Sequence, residues 1–192
     1  MASEPKHFLT AAQYLEMERA SEVRHEYYRG ELFAMAGGTA RHAILISNMM
    51  IALGTRLRGS CRVVGSDLKL AIDPRSHYVY PDLMIFCDGL RLLDGTDDVA
   101  VNPSVIIEVL SPSTESYDRS GKAHAYHRLP SVREYIMVSQ QQAIVERYHR
   151  HSESEWIYTL HEGLDATLPC LECTVPLAEI YAGVDFDQVV SA

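Results

Sequence analysis

The sequence predicts an α+β fold, a mixed β-sheet flanked by helices, on three observations. Short apolar runs of strand length recur between turn residues from Cys61 to His161. Two helical segments near the N-terminus open on capping threonines, Thr10 and Thr39. A third helical segment, from about Thr114 to Leu129, interrupts the strand series. With 192 residues and 47% hydrophobic content, the chain can bury one substantial core, so a single domain over residues 1–192 is the expectation.

Taken in order, Thr10 and Gln13 form a capping box for a short helix that uses Tyr14, Leu15 and Met17 as apolar contacts and ends near Arg19 to Glu22. Arg24 to Met35 reads as a hairpin turning at Arg29-Gly30, where glycine permits a positive φ; Glu26 lies on its first arm. After Gly37-Gly38, Thr39 caps a longer, strongly apolar helix to about Arg58, with Gly59 as its stop. Cys61 to Val64 and Leu68 to Ile72 read as strands joined around Gly65-Ser66-Asp67. His77 to Cys87 reads as a third strand, with Tyr80, Asp82, Met84 and Phe86 on one face and Pro81 near its beginning.

Val105 to Leu110 is the next strand, and Ile106, Glu108 and Leu110 share a face. Antiparallel pairing around a loop centred near Gly95 sets position 82 opposite about position 109, which makes Asp82 and Glu108 cross-strand neighbours. In the helix from Thr114 to Leu129, Asp118, Lys122 and Tyr126 recur every fourth residue and form one stripe. Pro130 ends it. Arg133 to Val138, Ala143 to His149 and Trp156 to His161 follow as a meander, and Leu177 to Tyr181 as a last helical turn.

The formal charge of −9 argues against a protein that holds nucleic acid by bulk electrostatics. It is compatible with an acidic site whose charge bound cations offset. Cys61, Cys87, Cys170 and Cys173 are too dispersed for a secreted disulfide scaffold and point to a reducing cytoplasm; Cys87 reads as a buried small apolar residue. Cys170 and Cys173 lack the partner pair of a zinc site, and His124 and His127 lack a third ligand. Met1 to Phe8 has no signal-peptide core, and no apolar stretch reaches the ~20 residues of a membrane span, so a soluble protein is expected.

The chemistry concentrates in Tyr80 to Tyr126. Asp82 and Glu108 each interrupt an apolar run, where a carboxylate is unfavourable unless paired, solvated or metal-bound. Two carboxylates brought this close repel unless a cation lies between them. Both are hard oxygen ligands suited to Mg²⁺ or Mn²⁺, the carbonyl of Val109 can add a third, and Lys122 can orient a water or a phosphate. Each has a bland reading: Asp82 as a turn cap after proline, Glu108 on a half-exposed strand, Lys122 as a solvated helix lysine paired with Asp118, His42 as a polar helix end. The order of the residues outweighs these readings taken singly.

That order, Pro81-Asp82, then Glu108-Val109-Leu110, then Lys122, resembles the PD-(D/E)xK phosphodiesterases. Over roughly residues 8 to 186 the chain resembles the Uma-two-type endonuclease family of bacteria, through Glu26-Tyr27-Tyr28-Arg29-Gly30-Glu31-Leu32, His42, Ser111-Pro112-Ser113-Thr114, Asp118-Arg119 and Glu134-Tyr135 besides. One departure is that lysine does not stand two residues after the glutamate, where this chain has Leu110; Lys122 on the following helix is the residue that matches. The resemblance implies a restriction-endonuclease-like core, a Mg²⁺- or Mn²⁺-dependent cleavage of nucleic acid, DNA first, and Glu26 as a further acidic member of the site. Competing readings are a non-catalytic binding protein on the same fold and a hydrolase of another phosphate ester. Open strand edges also allow a homodimer.

Overall fold

The computed structural model describes residues 8–35 and 37–186, so the reading of the N-terminal stretch before Phe8 lies outside the described residues. Helix α1 (Ala11–Ala20) starts at Thr10, whose side chain and that of Gln13 cap each other's backbone as expected. Strands β1 (His25–Tyr28) and β2 (Glu31–Ala34) form the hairpin, and both turn residues, Arg29 and Gly30, take positive φ. Thr39 caps helix α2 (Ala40–Arg56), which buries Leu45, Met49 and Leu53.

β3 (Arg62–Gly65) and β4 (Lys69–Asp73) fall where the sequence places them. The stretch from His77 to Cys87, expected as one strand, is two: β5 (His77–Val79) and β6 (Leu83–Phe86), in different sheets. Pro81 has no N–H to give a ladder, so the chain leaves one sheet at Tyr80 and enters the other at Leu83. A two-residue strand β7 (Val99–Ala100), not foreseen in the sequence, precedes β8 (Val105–Leu110).

The segment expected as one helix is three consecutive pieces: α3 (Glu115–Tyr117), a π-helical turn (Asp118–Lys122) and α4 (Ala123–His127). The meander follows as β9 (Glu134–Ser139), β10 (Ile144–Arg150) and β11 (Trp156–Glu162). A hairpin of β12 (Thr167–Cys170) and β13 (Cys173–Pro176), also unforeseen, leads to α5 (Leu177–Ile180).

Six strands, in the order β11-β10-β9-β8-β6-β3, make a sheet that is antiparallel except between β8 and β9. Five more, β2-β1-β5-β4-β7, make a second, antiparallel except between β4 and β7. One face of the larger sheet, through Leu83, Ile85, Ile107 and Val109, packs on α2, α5 and the β12–β13 hairpin. Its other face, through Met84, Ile106 and Leu110, packs on α4 and on Leu70 and Val79 of the smaller sheet. Helix α1 covers the far side of the smaller sheet through Tyr14, against Tyr27 and Tyr78. Among the described residues, no helix is long and apolar enough to cross a membrane.

The cysteines require a correction. Arg62 pairs with Phe86, so the same antiparallel register places Cys61 opposite Cys87, and the two form a disulfide with 4.1 Å between Cα atoms. Cys87 is half-buried rather than a core residue, and with two of four cysteines bonded the cysteine pattern no longer argues for a reducing compartment.

Candidate active site

The break between β5 and β6 builds the site. Asp82 sits at the end of β6, where Leu83 pairs with Ile107. The register therefore centres on Gly95, as expected, and sets Asp82 against Glu108 itself rather than residue 109. The Asp82 N–H lies 3.4 Å from Glu108 Oε2, and Asp82 Oδ2 accepts a 2.7 Å hydrogen bond from the Val109 N–H. A residue's N–H and C=O leave a strand on the same side. The Val109 carbonyl therefore points toward Asp82, past the end of β6.

Lysine reaches the site from the π turn. Lys122 Nζ is 3.0 Å from Glu26 Oε1, 3.1 Å from Glu108 Oε1 and 3.4 Å from Asp118 Oδ1. Tyr126, next on the stripe, donates a 2.7 Å hydrogen bond to Glu108 Oε1. The stripe read from the sequence thus faces Glu108, although the helix carrying it is a π turn at that point. Its backbone is pinned by the Tyr135 hydroxyl, which donates to the Asp118 carbonyl at 3.1 Å. Such turns disturb the regular ladder and recur at functional sites.

All four predicted residues, Glu26, Asp82, Glu108 and Lys122, are brought together. Three more join them. His42, on the first turn of α2, has its Nε2 3.2 Å from Asp82 Oδ2. Tyr126 holds Glu108, and Asp118 is buried in the cluster with its Oδ1 making no hydrogen bond among the described residues. The fourfold spacing of Asp118, Lys122 and Tyr126 was the sequence signal for the last two. Nothing in the sequence tied His42 to Asp82.

Charge is out of balance here. Glu26, Asp82, Glu108 and Asp118 surround one lysine and one histidine. Burial raises the Glu108 carboxyl, Lys122 pulls it back, and Asp82, Asp118 and Glu26 push it up again, to about 8. Burial works against the Lys122 ammonium, but Glu108, Glu26 and Asp118 outweigh it and hold its pKa well above the ordinary lysine value. Burial also disfavours a charged His42, yet its bond to Asp82 and the field of Asp82 and Asp118 bring the net shift upward. The lysine keeps its proton, and the electrostatic strain falls on Glu108.

The donor set fits a hard divalent cation. Asp82, just before β6, lies beside Glu108 and Val109 of β8, and the excess of carboxylate is what a dication would neutralise. Among the described residues no three carboxylate, imidazole or thiol groups converge as a preformed cage.

A buried acid–lysine cluster where a strand switches between two mixed sheets, in an α+β scaffold, defines the class. The same fold occurs in a putative nuclease of the DUF820 group from Anabaena variabilis, with a TM-score of 0.71 over 90% of this chain and 97% of that one, at 14% identity. Residues 11–177 match the Uma2 family, described as "Putative restriction endonuclease", and the chain belongs to that family. Two Synechocystis proteins are similar to it: slr1290, 31% identical over 93% of this chain and 94% of its own length, and sll1609, 31% identical over 83% and 91%. Both carry the description "uncharacterized protein".

Proposed function

We propose that the protein is a metal-dependent nuclease that hydrolyses phosphodiester bonds, with DNA as substrate and Mg²⁺ or Mn²⁺ as cofactor. The observation that carries this reading is the convergence of Glu26, Glu108 and Asp118 on Lys122, from two sheets and a helix, with Asp82 set against Glu108 and more negative than positive charge. Membership of a family described as "Putative restriction endonuclease" supports it.

Asp82, Glu108 and the Val109 carbonyl are the groups that would hold the cation. When bound, such a cation would supply a water of lowered pKa and positive charge for the phosphoryl group. Lys122 stays an ammonium in this acidic setting and so orients the attacking water or a phosphate oxygen rather than removing a proton. Glu26 fixes the lysine from the β1 side. Tyr126 and His42 hold Glu108 and Asp82 in place through their hydrogen bonds. A homodimer formed through an outer strand belongs to the same proposal, since β2 and β11 are sheet edges that leave Phe33 and Leu160 half exposed; light scattering on an eluting peak reads it.

Nicking of supercoiled plasmid in Mn²⁺ tests the assignment. Asp82→Ala and Glu108→Ala are expected to lower the rate by about 10²–10³-fold, the scale of losing a group that stabilises transition-state charge. Retention of full metal-dependent cleavage by both would remove these residues from the reaction.

A second reading, a non-catalytic binding protein on the same fold, is favoured by one observation: Lys122 and Tyr126 already occupy Glu108 Oε1. Calorimetric titration with Mn²⁺ separates the two, because absence of binding favours the non-catalytic protein.

A further inference from the structure

The helical face beside the Asp118–Lys122–Tyr126 stripe lines a second cavity. Tyr117, His124 and Arg128 follow one another along one wall, and Tyr28, Arg29 and His77 face them from the β1–β2 turn and the start of β5. The volume is about 720 Å³, within the range of small-ligand and nucleotide pockets. The cavity adjoins the acid cluster on two sides. Glu26 and Tyr28 share a face of β1, about 7 Å apart along the strand, and Gly121 of the cavity wall precedes Lys122.

Aromatic faces and free cations alternate on its walls. Tyr28 pairs with His77 across the ladder, with ring centroids 4.8 Å apart and edge-on. The Arg29 guanidinium lies over the Tyr28 ring at 5.2 Å. A Cβ at Gly121 would collide with the Tyr117 ring, so the glycine lets that ring lie flat on the helix. Neither Arg29 nor Arg128 is in an ion pair with a described residue. The one carboxylate on the wall, Asp73, is engaged by the Arg75 N–H at 2.9 Å and the Ser76 hydroxyl at 2.8 Å. His77 is 7% exposed, its Nε2 makes no hydrogen bond among the described residues, and burial together with Lys122 pushes its pKa down to about 4.

A smaller cavity of about 320 Å³ on the other side of the helix, beside Leu110 and Ser111, differs in charge. Its arginine, Arg119, is already paired with Glu115 and Glu146. Of these two cavities, the larger offers cations outside any ion pair among the described residues.

We propose that the Tyr28–Arg128 cavity binds one strand of nucleic acid beside the phosphodiester site, with a nucleobase stacked on Tyr117 and Tyr28 and flanking phosphates on Arg29 and Arg128. Base stacking on aromatic rings within a basic groove is the general chemistry of single-strand binding. The choice of nucleic acid as occupant rests on the phosphodiesterase reading above; the basic and aromatic walls do not. Two local cations also fit a chain of net charge −9, because the contact needs no basic surface at large.

The test is fluorescence anisotropy of fluorescein-labelled oligothymidylate and oligouridylate with the full chain in EDTA, which separates binding from cleavage. The variants are Arg29→Gln with Arg128→Gln, and Tyr117→Ala, each checked for an unchanged melting curve. The arginine pair is expected to weaken binding about tenfold and to flatten the salt slope by ~1.4, at ~0.7 per lost phosphate contact. Tyr117→Ala should weaken binding about tenfold with the slope retained. Preference for one of the two oligonucleotides identifies DNA or RNA as the strand. Wild-type protein that does not bind, or binding indifferent to all three substitutions, overturns the proposal. Hydrolysis of bis(p-nitrophenyl) phosphate by the wild type in Mn²⁺ is read in parallel: cavity-dependent binding without hydrolysis leaves the cavity standing and removes the nuclease reading, and hydrolysis with cavity-independent binding does the reverse.

Discussion

Glu108 and Glu134 stand on adjacent strands of the same sheet, 3% and 1% exposed, and their surroundings are opposite in kind. Glu134 accepts two hydrogen bonds from Arg147, at 2.7 and 3.1 Å, and one from the Leu171 N–H at 3.0 Å, with His149 at 3.5 Å. One carboxylate meets one planar guanidinium and a backbone donor, so its charge is answered. Glu108 shares a single lysine with Glu26 and Asp118, and Asp82 stands opposite it. A buried ion pair that closes on itself ties β9, β10 and the β12–β13 turn together. A buried cluster with surplus charge is, on the proposed function, where a cation would bind.

The largest effect expected from this contrast is at Glu134. Glu134→Ala leaves the largely covered Arg147 without its partner and should destabilise the protein by about 3–5 kcal/mol, measured by urea denaturation, with Mn²⁺ affinity per folded molecule unchanged. A loss below 1 kcal/mol would show that the pair is better solvated than its burial implies.

Next in size is the response to a divalent cation. Ligand that binds only the folded state adds RT ln(1 + [L]/Kd), about 2.7 kcal/mol at a hundredfold excess over Kd. Mn²⁺ should therefore raise the melting temperature of the wild type and not that of Asp82→Asn. The metal-free protein should show the reverse of the usual carboxylate behaviour with pH. The Glu108 pKa is raised from 4.5 to about 8 in the folded state, so folding takes up a proton between those values. Stability from this group is full below about 4.5 and declines as pH rises toward 8. Glu108→Gln removes the buried charge and should stabilise the metal-free protein at pH 8 by about 1–3 kcal/mol while abolishing the Mn²⁺ response. A destabilised Glu108→Gln would place the surplus charge elsewhere in the cluster.

Much of this arrangement was legible because its signals are local. Thr10 with Gln13, and Thr39, cap the helices they were expected to cap, since a cap is decided within four residues. The antiparallel return about Gly95 follows from alternation on both strands and so delivered Asp82 to Glu108. The fourfold stripe delivered Lys122 and Tyr126 for the same reason. Features set by long-range packing were not legible. The split of His77–Cys87 between two sheets depends on where the second sheet lies, although Pro81 marked the spot. The π turn accommodates Asp118 and Lys122 beneath β1, which no spacing within the helix encodes. The bond between Cys61 and Cys87 required the β3–β6 register, and the two-residue strand β7 is too brief to show alternation.

The smallest effect comes from a neutral side-chain donor to the surplus side. Tyr126 is fully buried, and burial with the nearby Glu108 charge raises its pKa well above the ordinary tyrosine value, so its hydroxyl remains a donor to Glu108 Oε1. Hydrogen bonding to the ionised carboxylate favours that form. Tyr126→Phe keeps the ring and its edge-on contact with Tyr135 at 5.1 Å but removes the donor. The metal-free protein should lose about 1 kcal/mol at pH 8, where Glu108 is partly ionised, and very little at pH 5, where it is protonated. Mn²⁺ affinity should fall only a few-fold, because the cation then supplies the positive potential the hydroxyl supplied. Equal destabilisation at both pH values would make Tyr126 a packing residue of the second core and leave Lys122 as the side chain that answers Glu108.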